Sequence, residues 1–246
     1  MQFKNEFWAF IPARSGSKGL KDKNIKKLGK LPIIAYSINV ALKSKSISKT
    51  IFSSDSKKYI KIAKKHGCKN IHYRSKKVSR NNSSELSVFK EFINNQIKLK
   101  KNLPEYFVHL RPTSPFRKLS TLDSSIKRFK RVKNKCSSLR TVSEMSNTAY
   151  RYCRIENNLL CAIPKKDFAL DKWFRPRQFF PKTYICNCVI DIYKTRNIIK
   201  NKLFGNKVLP ILIKDYFCDI DSIDDFKKAQ NFLKLNKKKD ILKHYY

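Results

Sequence analysis

Apolar residues recur along this chain in two alternating rhythms, and the alternation predicts the architecture. Phe7-Trp8-Ala9-Phe10-Ile11 is an unbroken apolar run closed by Pro12, the pattern of a strand buried on both faces that runs into a loop. Ile34, Ile38 and Leu42 then recur at helical spacing within a helix expected over Leu31 to Lys43. Thr50 to Ser53 reads as a second strand, Lys57 to His66 as a helix stopped by Gly67, and Lys69 to Tyr73 as a third strand. The rhythm continues with a helix over Leu86 to Leu99, a strand over Tyr106 to Leu110, and a helix from Ser120 with Asp123 as its capping partner.

Between Ser143 and Lys182 the rhythm breaks. Tyr150 to Ile163 alternates like a hairpin turning at Asn157-Asn158, and the irregular Trp173-Phe174-Arg175-Pro176-Arg177 stretch follows, so 143–182 is expected to form an inserted lobe. Strands over Tyr184 to Tyr193 and Val208 to Ile213 rejoin the main sheet. A helix over Ser222 to Leu235, with Ile223, Phe226 and Phe232 on its apolar face, closes the pattern. The expected fold is α/β: one domain over residues 1–246, built on a doubly wound, mostly parallel sheet, with ligands at the carboxyl ends of its strands.

Composition changes this picture little, and charge changes it more. A chain of 246 residues that is 41% hydrophobic can bury a sizeable core, which excludes disorder as its main state. Against 56 Lys and Arg stand only 18 Asp and Glu, a net charge of +38 that attracts polyanions of every kind. The basic pairs, such as Lys26-Lys27, Lys64-Lys65 and Lys227-Lys228, are spread along the whole chain; only Lys237-Lys238-Lys239 resembles a tail. A nucleic-acid module concentrates its cations and interleaves aromatics, so no specific nucleic-acid partner is expected. Seven cysteines without a CxxC pair and four scattered histidines give no zinc spacing and suggest reduced thiols. The apolar run near the N-terminus is too short for a signal or a membrane span, so a cytoplasmic protein with no membrane partner is expected.

Three loops carry candidate chemistry. Two of the five glycines fall in Ile11-Pro12-Ala13-Arg14-Ser15-Gly16-Ser17-Lys18-Gly19, directly after the first strand. Such a loop can aim backbone N–H groups at phosphate oxygens while Arg14 and Lys18 neutralise their charge, and Gly16 is expected to permit close approach of the ligand. Lys23-Asn24 adds a cation and an amide. The spacing is neither a Walker A nor a dinucleotide fingerprint, and a turn with exposed lysines is the plainer alternative. Arg111-Pro112-Thr113-Ser114-Pro115-Phe116-Arg117 follows the fourth strand and is stiffened by two prolines; a rigid connection alone would also explain it. Asp219-Ile220-Asp221 follows the last strand. In extended backbone its two carboxylates share one side, suited to a hard divalent cation, although helix capping is the alternative.

Together these loops describe a nucleotide site, and here the sequence resembles a known family, the cytidylyltransferases that activate sialic acid and related nonulosonic acids. The resemblance rests on the Ile11 to Gly19 loop with Lys23-Asn24, Ser53-Ser54-Asp55, Pro112 to Arg117, Arg175-Pro176-Arg177-Gln178, and Asp219-Ile220-Asp221-Ser222-Ile223-Asp224-Asp225. It implies a Rossmann-like nucleotidyltransferase in which the anomeric hydroxyl of a keto-acid sugar attacks the α-phosphate of CTP and pyrophosphate leaves. In the resemblance Arg14, Gly16, Ser17, Lys18, Lys23 and Asn24 hold the triphosphate, Arg74 and Ser83 lie near the cytosine, and Asp219 and Asp221 bind Mg²⁺. Arg14, Lys23 and Asp221 are the candidate catalytic residues; Arg111, Ser114, Arg177, Gln178 and Asn187 are the candidate sugar contacts. A homodimer is also implied, with the 143–182 lobe reaching across to the partner's site.

Several positions depart from that family's pattern. Asn81 stands where an Asp is usual, Arg111 replaces the Gln before Pro-Thr-Ser-Pro, and the Asn-Gly-x-x-Tyr segment reads Asn187-Cys188-Val189-Ile190-Asp191. Arg111 and Arg177 could each pair bidentately with the sugar carboxylate, which would favour a legionaminic, pseudaminic or otherwise modified acceptor. A 3-deoxy-manno-octulosonate type of acceptor and a polyanion-binding protein that has lost its chemistry are the competing readings.

Overall fold

In the computed structural model, residues 3–17, 19–163, 171 and 175–236 are described. The apolar run of the first strand lies at the buried heart of β1 (Phe3–Pro12). A 3-10 turn over Lys23–Ile25 and a ribbon of β2 (Lys27–Leu28) and β3 (Leu31–Pro32) follow. The ribbon takes the first two residues of the expected helix: Pro32, extended at ψ 148, is the N-cap, so α1 spans Ile33–Lys43. Then come β4 (Lys49–Ser54), α2 (Lys57–Lys65), β5 (Asn70–Tyr73), α3 (Glu85–Lys98), β6 (Leu103–His109) and α4 (Leu119–Val132), close to the expected spans. Asp123 does not cap α4. Its carboxylate accepts from the hydroxyl of Ser44, the C-cap of α1, and so ties the two helices together.

One strand escaped the sequence pattern. β7 (Ser138–Glu144) buries Ser138, Leu139, Thr141 and Ser143, so hydroxyls occupy most of its inward positions and hide the apolar period. The hairpin forms as expected from β8 (Cys153–Glu156) and β9 (Leu159–Ala162), a sheet of its own with Asn157 and Asn158 both at positive φ in the turn. β10 (Tyr184–Lys194), α5 (Thr195–Ile199), β11 (Val208–Leu212) and α6 (Ile223–Leu235) complete the order.

The main sheet has seven strands in the order β11-β7-β10-β6-β1-β4-β5, with β10 antiparallel to both its neighbours and every other pairing parallel. Residues of α1, α2 and α4 cover one face. On the other, α3 and α5 pack an aromatic layer in which the rings of Phe10 and Phe89 lie 4.4 Å apart. A third apolar cluster joins Leu20, Leu28, Ile33, Tyr36, Phe116, Ile220 and Phe226. It locks the loop after β1, the loop after β6 and the start of α6 against one another, and this gathers the three candidate loops at one edge of the sheet. Trp173-Phe174 and Lys237-Lys238-Lys239 lie outside the described residues.

Candidate active site

A cavity of about 480 Å³ opens over the carboxyl ends of the parallel strands. Its walls include Arg14, Ser17, Gly19, Lys23, Asn24, Arg74, Ser83, Arg111 and Asp221, together with Glu85. Eight of these were candidates from sequence; Gly19 and Glu85 were not among the named site residues. Lys18 lies outside the described residues.

The loop after β1 is pinned from below. Asp55, at the end of β4, accepts from the backbone N–H of Ser15 at 2.8 Å and from its hydroxyl at 2.7 Å. Arg14 donates from Nη1 to Asn81 Oδ1 at 2.7 Å, so Asn81 still supplies the acceptor that an Asp would. Asn24, buried, donates to the carbonyl of Arg14 at 3.0 Å. Lys23, on the 3-10 turn, is largely buried, and its Nζ donates to Asp221 Oδ1 at 2.6 Å.

Asp221 arrives from the far end of the chain because Ile220 is anchored: its side chain is fully buried and its N–H donates to the Thr113 carbonyl at 2.9 Å. The extended alternation holds, so Asp219 and Asp221 are both exposed. Only Asp221 lines the cavity. Helix capping falls instead to Ser222 and Asp225, which form a reciprocal capping box at the start of α6. Gly19 is where the protein's own backbone approaches closely: a Cβ there would sit 2.4 Å from the Asp221 carbonyl oxygen. Gly16 serves by its backbone, at φ +71, and nothing lies within 4 Å of a Cβ there.

Arg74 lines the cavity, whereas Arg117 lies behind it and does not. Arg74 donates through Nε to the Val78 carbonyl at 2.8 Å, which shapes the loop toward Ser83, and burial pulls its pKa down. Arg117, fully buried, holds the Val189 carbonyl and the Ser37 hydroxyl; burial, beside Arg111, lowers its pKa to about 9.

The candidate sugar contacts are dispersed. Arg111 lines the cavity, but much of its guanidinium is committed: Nε and Nη2 reach the two oxygens of Glu85 at 2.7 Å each, and Nη1 reaches Asp191 Oδ2 at 2.7 Å. The Nε/Nη2 edge is thus taken by Glu85, and a sugar carboxylate cannot pair with that edge while this ion pair holds. Arg111 and Asp191, two of the departures from the family pattern, are thus direct partners. Asn187 is buried and structural; its amide donates to Ser143 Oγ at 2.9 Å and accepts from Thr141 Oγ1 at 2.6 Å. Ser114 is buried and does not line the cavity. Arg177 and Gln178 line a separate cavity of about 350 Å³ with Glu144 and Thr148.

A family model described as cytidylyltransferase matches residues 8–197. The chain belongs to the cytidylyltransferase family. It is therefore a nucleotidyltransferase. The chain is 30% identical over 232 residues to a CMP-N,N'-diacetyllegionaminic acid synthase of Campylobacter jejuni, an alignment covering 94% of this chain and 96% of the relative. It is 26% identical to a pseudaminic acid cytidylyltransferase of the same species, over 92% of this chain and 95% of the other. Among solved structures, a CMP:2-keto-3-deoxy-manno-octonic acid synthetase complexed with CTP superposes with a TM-score of 0.65 at 11% identity, covering 94% of this chain and 99% of that one. That likeness establishes the cytidylyltransferase's fold, with its mostly parallel sheet between helical layers. No helix among the described residues is long and apolar enough to cross a membrane.

Proposed function

We propose that this cytidylyltransferase transfers CMP from CTP to the anomeric hydroxyl of a sialic-acid-like keto-acid sugar in the cytoplasm. The anomeric hydroxyl gives up its proton to solvent as its oxygen forms a bond to the α-phosphorus, the α–β anhydride bond breaks, and its electron pair leaves with pyrophosphate. The observation that carries this reading is the convergence of Arg14, Lys23, Asn24 and Arg74 with Asp221 on one cavity, in a chain aligned end to end with a CMP-legionaminic acid synthase. Arg14 and Lys23 offset charge on the phosphates as it shifts toward the leaving group, Ser17 and Asn24 orient them, and Arg74 with Ser83 borders the base. Lys18 belongs to the same proposed phosphate set.

Asp219 and Asp221 would hold Mg²⁺. Two carboxylates that share an exposed side fit an ion that takes one or two protein ligands and completes its shell from phosphates and water. The described residues contain no cluster of three or more such ligands, so the substrate's own oxygens are required. The metal supplies further neutralisation of the triphosphate.

A homodimer is part of this reading. The β8–β9 hairpin exposes Ile155 and Leu160, cross-strand partners on one face, and Leu159 on the other, apolar surface suited to a second copy, and Arg177 and Gln178 would then serve the partner's acceptor side. The test is identification of the product by mass spectrometry. A CMP-sugar formed from CTP and a nonulosonic acid supports the reading; CMP alone, or no product, rejects it.

A further inference from the structure

The side of the cavity where α3 meets the loop after β6 is built from four alternating charges. Glu85, the first residue of α3, is held by Arg111; Arg111 is held also by Asp191; and Asp191 Oδ1 lies 3.4 Å from Arg140 Nε. Tyr193 donates to Asp191 Oδ2 at 3.0 Å and His109 Nδ1 lies 3.3 Å from the Tyr193 hydroxyl, so the buried carboxylate is braced from below. Asp191 is wholly buried and Arg111 nearly so, whereas the Glu85 side chain is 40% exposed and borders the cavity. The wall therefore presents a carboxylate, although an arginine lies directly behind it.

Two features make Glu85 fit for binding rather than for support alone. The arginine fork occupies one lone-pair site on each of its oxygens, which leaves acceptor capacity on the open side. Its carboxylate, at the start of α3, is held in place without a ligand by the two hydrogen bonds from Arg111. A substrate carboxylate placed against Glu85 would meet like charge, with the Nε/Nη2 edge of Arg111 already occupied; hydroxyl and amide N–H groups would meet a carboxylate acceptor held in place.

Building on the proposed function, we infer that Glu85, positioned by Arg111, recognises the acceptor sugar. It accepts hydrogen bonds from the sugar's hydroxyl or acylamino donors, while the sugar's own carboxylate turns away toward the cations of the cavity. The class of acceptor is an acidic sugar that carries such donors on the side opposite its carboxylate.

The test compares wild-type protein with E85Q and E85A, with Mg²⁺, titrating CTP and an N-acylated nonulosonic acid separately. Loss of a charged acceptor is expected to raise the acceptor KM about tenfold or more in both variants. The CTP KM stays within twofold and Tm within a few degrees, because Glu85 is half-exposed and Gln retains an oxygen for Arg111. An acceptor KM within twofold of wild type in folded E85Q overturns the inference, as does an equal rise in the KM for CTP. Wild-type protein without turnover on any acidic keto-sugar would instead remove the proposed function, and this inference with it.

Discussion

Lys23 Nζ and Asp221 Oδ1 lie 2.6 Å apart, a contact between residues 198 positions apart in sequence. It closes the nucleotide loop after β1 onto the segment that precedes α6. The Asp221 side chain is 73% exposed, so the pair adds less than about 1 kcal/mol to stability. K23A and D221N should therefore each lower pyrophosphate release by about 10²-fold or more while Tm moves by only a few degrees. Steady-state rates beside thermal melts check this; full activity in either folded variant would refute the assigned roles.

Gly19 and Gly16 lie in one loop and should respond differently to a methyl group. A Cβ on Gly19 would meet the Asp221 carbonyl oxygen at 2.4 Å, and backbone must move to relieve it. G19A is expected to lose at least tenfold in turnover and about 1–3 kcal/mol in stability. G16A, at φ +71 with open space around it, should cost only the left-handed penalty of about 1 kcal/mol. Urea melts and rates of the two variants give the ordering, and equal damage would contradict it.

Cys188 occupies a left-handed conformation, φ +57, in the irregular stretch of β10 opposite β7, where the resembled family places glycine. C188G should stabilise the protein by about 1 kcal/mol, a rise of about 2–4 °C in Tm. A lower Tm would show that the Sγ contact with Arg140 at 3.7 Å outweighs the backbone relief.

His72 is buried beside Ser53 and Glu91, and burial pushes its pKa down to about 4, against 6.5 in the unfolded chain. Between those values the unfolded state binds more protons, so stability falls as pH drops from about 6.5 toward 4 and levels off below. Burial lowers the pKa of His109 as well, so H72Q should flatten the decline without abolishing it. Urea melts from pH 7 to pH 4 measure the slope; a stability that rises on acidification would oppose this account.

Local pattern was enough to read the apolar runs, the helical spacings and the three loops after the strands, and those loops share a cavity. What stayed hidden depends on partners distant in sequence. Arg111 reads as a free arginine at a strand end until Glu85, 26 residues earlier, and Asp191, 80 residues later, are brought against it. Asp55 gave no sign that it pins Ser15, though its place in the Ser53-Ser54-Asp55 motif was a signal worth following. β7 was silent because its inward side chains are mainly hydroxyls that bond across the sheet, as Thr141 does to Asn187.

The central claim is CTP-dependent transfer to an acidic keto-sugar, and one measurement tests it most directly. Pyrophosphate release is followed with purified protein, Mg²⁺, each of the four nucleoside triphosphates, and a panel of nonulosonic acids beside 3-deoxy-manno-octulosonate. The account predicts release with CTP and a nonulosonic acid, and little with the other nucleotides. Folded protein that binds CTP yet releases nothing with any acceptor, or that turns over the octulosonate alone, would contradict it.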